Sequence, residues 1–373
     1  MSSTLREAFS RVRERIRKGF FSYHLNRQSV CVPNGMARLS YGSDIGALLE
    51  GKVHLTGGRV KLTHLHAAYP HDHARFNILY LVSSALPLYA VEVVRWAKAA
   101  GAKVVLNQNG VAYSAWTDDY CTINNELSAI LDLADLVIYQ SHFCKVTADR
   151  YLGEPPAKWH VLPNCVDVNR FAPSNPTPQG PLRLLVMGTH SQKERVMLPI
   201  ETLRLLLDRN LSATLHIAGR LAWDGAEEEV RRQLYSLDLA DAVTLSGAYT
   251  HEQAPRLCAN ADLLLHLKYK DPCPNVVIEA MACGIPVIGS DSGGMKELVG
   301  TQNDLLLPVE DSWSVMCYPT PDQVLEAVIK ASETLPERRC EARRCAVSKF
   351  SSEEWVTKQA AFFCVLLALD ING

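Results

Sequence analysis

Two successive series of short β-rich runs, each alternating with helical stretches, constrain this chain more than any other feature. Strands separated by helix-length segments pair in parallel, with the helices packed on the sheet faces. In the first series Val60 to Leu65, Ile78 to Val82, Val104 to Leu106, Leu136 to Tyr139 and Trp159 to Leu162 read as strands, and Pro87 to Ala99 as a helix. The stretch Pro173 to Pro181 holds four prolines and interrupts the rhythm as a linker. The second series brings strands Leu182 to Met187, Ala213 to Ala218, Val243 to Leu245 and Leu263 to Leu265, with helices Met197 to Asp208 and Ala226 to Leu237. The pattern predicts an α/β chain of two Rossmann-like domains, residues 1–175 and 176–350, closed by a long helix from Ser351 within 351–373. A length of 373 residues gives room for two cores.

Composition removes several classes. A formal net charge of -2 gives no basis for bulk nucleic-acid binding. Eleven cysteines without CxxC spacing, among them Cys283 and Cys364 inside apolar helical patterns, read as reduced and mostly buried thiols. Neither half carries GxGxxG, which argues against a dinucleotide dehydrogenase. No apolar run reaches the roughly 18 residues of a membrane span, and the first residues lack a hydrophobic signal core, so a cytoplasmic location is expected. The first twenty residues stand apart. Thr4 and Glu7 form a capping box, Leu5, Phe9, Val12, Ile16 and Phe20 repeat at helical spacing, and basic side chains dominate the other faces. Such a helix either packs on its own domain or lies peripherally on an anionic membrane face. His54, His64, His66, His71 and His73 crowd one region. Their spacing admits a metal, but no cysteine or carboxylate set completes a shell, so a polar face near the cleft is expected and no metal.

The segment from Asp271 to Glu297 carries the chemistry. Pro274 suits a first helical turn, Val276 to Cys283 reads as a buried helix, and Gly284 ends it before a strand from Pro286 to Gly289. Free N–H groups at the start of that helix, around Asn275, Val276 and Val277, suit the phosphates of a ligand. Asn275 and Glu279 are four apart and share a helical face. A carboxylate at Glu279 is suited to ribose hydroxyls, and one at Asp271 to sugar hydroxyls.

The same segment resembles the signature of the retaining GT-B glycosyltransferases of family four, in which two glutamates with seven residues between them flank a nucleotide-sugar site. Asp271 stands at the first position and Glu279 at the second, and Gly293-Gly294 with Glu297 follow as in that family. Ala134 to Ile138 with Ser141, Pro163 to Asp167, and Phe171 to Pro173 resemble the end of its first domain. The resemblance covers roughly residues 76 to 370 and implies two Rossmann-like domains facing across a cleft, with the last helix crossing back to the first. It implies a nucleotide-sugar donor held by Gly188, Asn275, Val276, Val277, Glu279, Gly293, Gly294 and Glu297, a sugar or lipid-linked glycan as acceptor, and no cofactor.

This chain departs from the family pattern at named positions. Gly188 is followed by Thr189 where the family commonly has arginine, and the diphosphate-binding charge is assigned to Lys193 and Arg195, with Lys268 in reserve. The family's His-Gly appears as Asn109-Gly110, and an amide positions a hydroxyl without exchanging protons near neutral pH. The family's Gly-Gly loop has Gly35, Gly42 and Gly46 as candidates. The implied reaction is same-face transfer with retention, using Asp271, Lys193, Arg195 and Asn109. A non-catalytic sugar-nucleotide-binding protein and a GT-B epimerase are the alternatives.

Overall fold

The computed structural model describes residues 30–43, 57–174 and 180–368, together with Arg17, Gly19, Phe21 and Leu25. Two parallel sheets organise them. In the first, β1 (Leu39–Ser40), β2 (Ile78–Val82), β3 (Lys103–Gln108), β4 (Leu136–Tyr139) and β5 (Lys158–Val161) lie side by side in chain order. β2 and β4 are buried along their whole length. They therefore read as unbroken apolar runs, as expected where helices cover both sheet faces. Those helices are α1 (Gly57–Ala68), α2 (Ala90–Ala99), α3 (Tyr120–Leu131) and α4 (His142–Tyr151).

The expected strand from Val60 to Leu65 is instead part of α1. Val60 and Leu62 imitate strand alternation, yet the buried positions Gly58, Lys61, Leu62 and Leu65 recur at three- and four-residue intervals, which is a helical face.

The second sheet holds β6 (Leu182–Met187), β7 (Ala213–Ala218), β8 (Val243–Gly247), β9 (Leu263–His266), β10 (Val287–Asp291) and β11 (Leu306–Pro308), in the order β11-β10-β9-β6-β7-β8. Around it pack α5 (Glu194–Asp208), α6 (Ala226–Ser236), α7 (Ala254–Ala259), α8 (Asn275–Ala282), α9 (Met295–Leu298), α10 (Pro321–Glu333) and α11 (Leu335–Phe350). Strand order reverses between β6 and β9. In a doubly wound sheet the crevice beyond the carboxyl ends of such a pair is where ligands bind. Gly188 follows the end of β6, and Lys268 to Asp271 follow the end of β9.

The final helix, α12 (Ser352–Ala368), returns to the first sheet, where Trp355, Phe363 and Leu366 share a core with Leu39, Tyr80 and Ile138. Backbone bonds from Val166 N to Phe350 O (2.8 Å) and from Ser352 N to Val166 O (3.0 Å) tie the crossing point. Arg343 donates there to the carbonyls of Val168, Phe171 and Ala282.

Thr4, Glu7 and the amphipathic pattern of Leu5, Phe9, Val12, Ile16 and Phe20 fall outside the described residues, as do Gly46, His54 and residues 175–179 of the proline-rich stretch. Phe21 lies 5.1 Å from Tyr89 between ring centroids, and Phe21 and Leu25 pack on the core of the first domain. Among the described residues no helix is long and apolar enough to cross a membrane, and no three His, Cys, Asp or Glu side chains gather as a metal site. Cys283 is buried as expected, whereas Cys364 is exposed on α12.

Candidate functional site

A cleft of about 660 Å³ opens at the carboxyl ends of β6 and β9 and faces the first domain across it. Its floor is the loop from Tyr269 to Pro274. Lys270 adopts a left-handed backbone (φ 49°), an uncommon state for a residue with a side chain. Its N–H donates to Ser292 Oγ at 2.7 Å, and Gly294 N donates to Asp271 O at 2.9 Å. These bonds fix the turn that presents Asp271.

Asp271 is buried, with its side chain 12% exposed. Lys268 Nζ lies 3.0 Å from Asp271 Oδ2, and His266 Nε2 lies 3.3 Å from the same oxygen but off the line of a hydrogen bond. Burial pushes the Asp271 pKa up; Lys268 and His266 outweigh it and hold the group well below the usual carboxylate range. Burial also pushes the His266 imidazole down to about 4, so at neutral pH its ring is neutral and Asp271 is ionised.

At the next helix, Gly284 (φ 72°) ends α8 as its sequence suggests. Asn275 and Glu279 both line the cleft, as their spacing requires. Asn275 Nδ2 donates across the cleft to Gly57 O at 3.1 Å, and Glu279 Oε1 lies 3.4 Å from His251 Nε2. Val276 lines the cleft, whereas Val277 turns its side chain into the second-domain core. The Val277 N–H donates to Pro274 O at 3.2 Å, which leaves the start of α8 nearest Asn275 and Val276 to meet a ligand.

Of the expected cations, Arg195 is in the cleft and Lys193 is not. Arg195 is 4% exposed, with Nη1 donating to Thr189 O at 2.7 Å and Nη2 to Met187 O at 3.2 Å. Its guanidinium thus lies beside Gly188, whose φ of 112° lets the backbone turn there. Burial lowers the Arg195 pKa and the charge on Asp271 opposes that shift. Lys193 pairs instead with Glu229 of α6 in solvent. Residues two apart at a helix start point in different directions, so only one of this pair can face the cleft. Lys268, the reserve residue, takes the place beside Asp271.

Gly293, Gly294 and Glu297 support the site from outside the cleft lining. A Cβ on Gly293 would fall 2.3 Å from Asp271 O, and one on Gly294 2.1 Å from Pro272 O, so only glycine admits the loop carrying Asp271. Glu297 accepts the first N–H groups of α4 in the other domain, from His142 to Oε2 (2.7 Å) and from Phe143 to Oε1 (2.9 Å). Ser141, the N-cap of α4, accepts from Cys144 N at 3.1 Å and donates to Pro272 O at 2.9 Å. A helix N-terminus favours a carboxylate, and here the protein supplies it across the domain boundary.

On the opposite wall Asn109 is 8% exposed and already engaged. Its Nδ2 donates to Ser84 Oγ, and its Oδ1 accepts from Gln140 Nε2 and from Lys61 Nζ at 3.3 Å. Lys61 is buried behind it, donates to Asn107 Oδ1 at 2.8 Å, and is pushed down to about 8 by burial. Asn107 and Gln359 of α12 each donate to Tyr80 OH at 3.0 Å.

Several cleft residues fall outside the sequence expectations. Gly57-Gly58 opens α1 on the cleft, and a Cβ on Gly58 would lie 2.1 Å from Ser84 Oγ. The pair was visible as adjacent glycines, while Gly35 and Gly42 lie away from the cleft lining. His251 and His266 reach the site from loops and strand ends that carry no motif. Trp313 stacks on Phe143 of the first domain at 6.1 Å and 6°, with Lys270 Nζ 3.8 Å from its ring centroid, closing one end of the cleft.

Residues 167–338 match the family model of the glycosyl transferases group 1. The architecture is that of the GT-B glycosyltransferases: HepE from Anabaena, solved with UDP-glucose, aligns with a TM-score of 0.63 at 17% identity over 82% of each chain. A phosphatidylinositol N-acetylglucosaminyltransferase subunit of Arabidopsis thaliana is 24% identical over 272 residues, covering 72% of this chain and 57% of that protein. N-acetyl-alpha-D-glucosaminyl L-malate synthase of Bacillus anthracis is 31% identical over 155 residues, covering 41% of this chain and 39% of that protein. The matches thus span about half or less of these curated relatives.

Proposed function

We propose that this chain transfers a sugar from a nucleoside-diphosphate sugar to an acceptor hydroxyl with retention of anomeric configuration, in the assembly of a glycan or glycolipid at the cytoplasmic face of a membrane. The observation that carries the reading is the buried pair Asp271 and Glu279, set at the two ends of a turn of loop and helix on one wall of the cleft. Glu279 binds the ribose of the donor and Asp271 the hydroxyls of its sugar. The diphosphate lies between them, at the start of α8, with Arg195 and Lys268 as its counter-charges. As the glycosidic bond breaks, the electron pair leaves with the phosphate oxygen. Fixed N–H groups and cations stabilise that charge more than they stabilise the ground state. The acceptor oxygen attacks on the face the phosphate leaves, and its proton passes to that phosphate. Asn109, with both polar atoms engaged, shapes the acceptor wall and takes no proton. Because the cations are supplied by side chains, the proposed reaction calls for no metal. UDP-glucose on HepE and the names of the curated relatives support a nucleotide-sugar donor.

The test is a binding and hydrolysis screen with UDP-, GDP- and ADP-sugars. One nucleotide class should raise the melting temperature and be slowly hydrolysed, with both effects lost in Glu279→Ala. Binding without turnover in the presence of acceptors would favour a sugar-nucleotide sensor. Turnover of the donor to its epimer would replace the reading altogether.

A further inference from the structure

The two walls of the cleft differ in kind. Among the described residues every charged side chain lining it belongs to the second domain: Arg195, Arg220, Lys268, Lys270, Asp271 and Glu279, with two histidines. Among the described residues the first-domain wall has no ionisable acid or base of its own apart from the Tyr113 phenol, which burial keeps protonated. It offers Val111, Tyr113, Trp116, Ile123, Leu127 and Phe143, and its polar groups are a few hydroxyls and amides near Asn109. Lys61 lies behind Asn109 and outside the lining, turned to two amide oxygens.

The apolar residues are arranged as a pouch. Ile123 and Leu127 are four apart on α3, and Phe143 and Thr147 are four apart on α4, so each helix presents one stripe to the cleft. Leu127 is 5% exposed and Thr147 2%, which places the base of the pouch in the first-domain core. Trp313 roofs it by stacking on Phe143, and Trp116, 53% exposed, stands at its outer rim.

Resting on the function proposed above, we infer that the acceptor is a neutral alcohol with a hydrocarbon body, which enters this pouch while its hydroxyl reaches the gap between Asn109 and Asp271. Among the described residues the first-domain wall offers a buried phosphate or carboxylate no cation, and Lys270, beside the Trp313 roof, is already paired with Asp311, so such an anion would forfeit its hydration. A hydrocarbon body loses nothing on entry and gains from leaving water. The charged wall is thereby reserved for the donor.

The experiment compares acceptors at fixed donor: farnesol as a long flexible chain, 2-naphthol as a compact aromatic, and glucose and glucose 6-phosphate as polar counterparts. Transfer to farnesol or to 2-naphthol, with kcat/KM at least tenfold above either sugar, is the expected result. The better of the two distinguishes a lipid alcohol from an aromatic one. Ile123→Asp, which places a carboxylate in the pouch, should raise KM for the apolar acceptor at least tenfold, and Trp116→Ser, a change at an exposed site, several-fold. Retained nucleotide binding and melting temperature serve as the fold controls. Preference for glucose 6-phosphate, or an unchanged KM in both variants, overturns the inference. Should no donor be turned over, the proposed function fails separately, and the pouch is read by 2-naphthol fluorescence alone. Saturable binding weakened at least tenfold by Ile123→Asp supports the pouch, and absence of binding to the wild type overturns it.

Discussion

Glu297 of the second domain accepts the backbone N–H of His142 in the first, at 2.7 Å, and so caps a helix that belongs to the opposite wall of the cleft. A carboxylate at a helix start gains from both the dipole and the charge-assisted bonds, together about 1–2 kcal/mol for a half-buried group. Glu297→Gln should therefore lower the melting temperature and widen the cleft in small-angle scattering, with less than a threefold change in nucleotide affinity. A nucleotide Kd raised more than tenfold at unchanged melting temperature would make Glu297 a ligand, the role that the family resemblance implies.

Lys193→Ala and Lys268→Ala separate two lysines that sequence alone ranks in the opposite order. Lys193 is paired in solvent with Glu229, and an exposed pair contributes only about 0–1 kcal/mol, so its loss should leave donor turnover within twofold. Lys268 stands 3.0 Å from Asp271 in the cleft, and its loss should reduce donor turnover at least tenfold, measured as kcat/KM for donor hydrolysis. Equal effects of the two changes would contradict the placement.

Gly294→Ala tests whether the glycines hold the Asp271 loop. The added methyl would lie 2.1 Å from Pro272 O, a backbone atom that cannot step aside without moving Asp271. Overpacking of this kind costs about 1–3 kcal/mol. The expected outcome is a folded protein with lower chemical stability and donor turnover reduced at least tenfold. Full turnover in a stable Gly294→Ala variant would detach Asp271 from this loop.

Acid should destabilise the protein in a window set by its buried imidazoles. His266 titrates near 6.5 when unfolded and at about 4 when folded, because burial disfavours its charged form. His190, under burial and the nearby Arg195 charge, is pushed down to about 3. Between the unfolded and folded values the unfolded chain binds the extra proton. Stability is therefore fully present above the unfolded value and lost as pH falls toward the folded ones. Each such group contributes a slope of up to about 1.4 kcal/mol per pH unit. Urea unfolding at several pH values should show His266→Asn with a shallower slope on the acid side than the wild type. Identical slopes would mean that His266 is accessible to protons in the native state.

Much of the fold was legible because buried parallel strands write themselves as apolar runs. Ile78–Val82 and Leu136–Tyr139 could be read directly. β1 and β11, two and three residues long, leave too little pattern to read. The helix Gly57–Ala68 was misread because a short window around Val60 and Leu62 satisfies both periods. The site was legible as a segment and less so as a set of contacts. Asn275 and Glu279 reach the cleft as their spacing demands, and Asp271 as the resemblance implies, but Val277, Gly293, Gly294 and Glu297 stand in the same motif and face the core, the loop backbone or the other domain. The apolar pouch was invisible because its walls come from separate helices brought together only by folding.

The return of α12 has a consequence for how the protein is made. Trp355, Phe363 and Leu366 complete the core that contains Leu39 and Tyr80, so one of the two cores built on the first sheet stays open until α12 has left the ribosome. The strands of the second sheet, by contrast, lie within one continuous stretch and can pair while synthesis continues. The half built on the first sheet is therefore the later to close, and translation halted before α12 would release a finished second-sheet half tethered to a first-sheet half with its interior exposed.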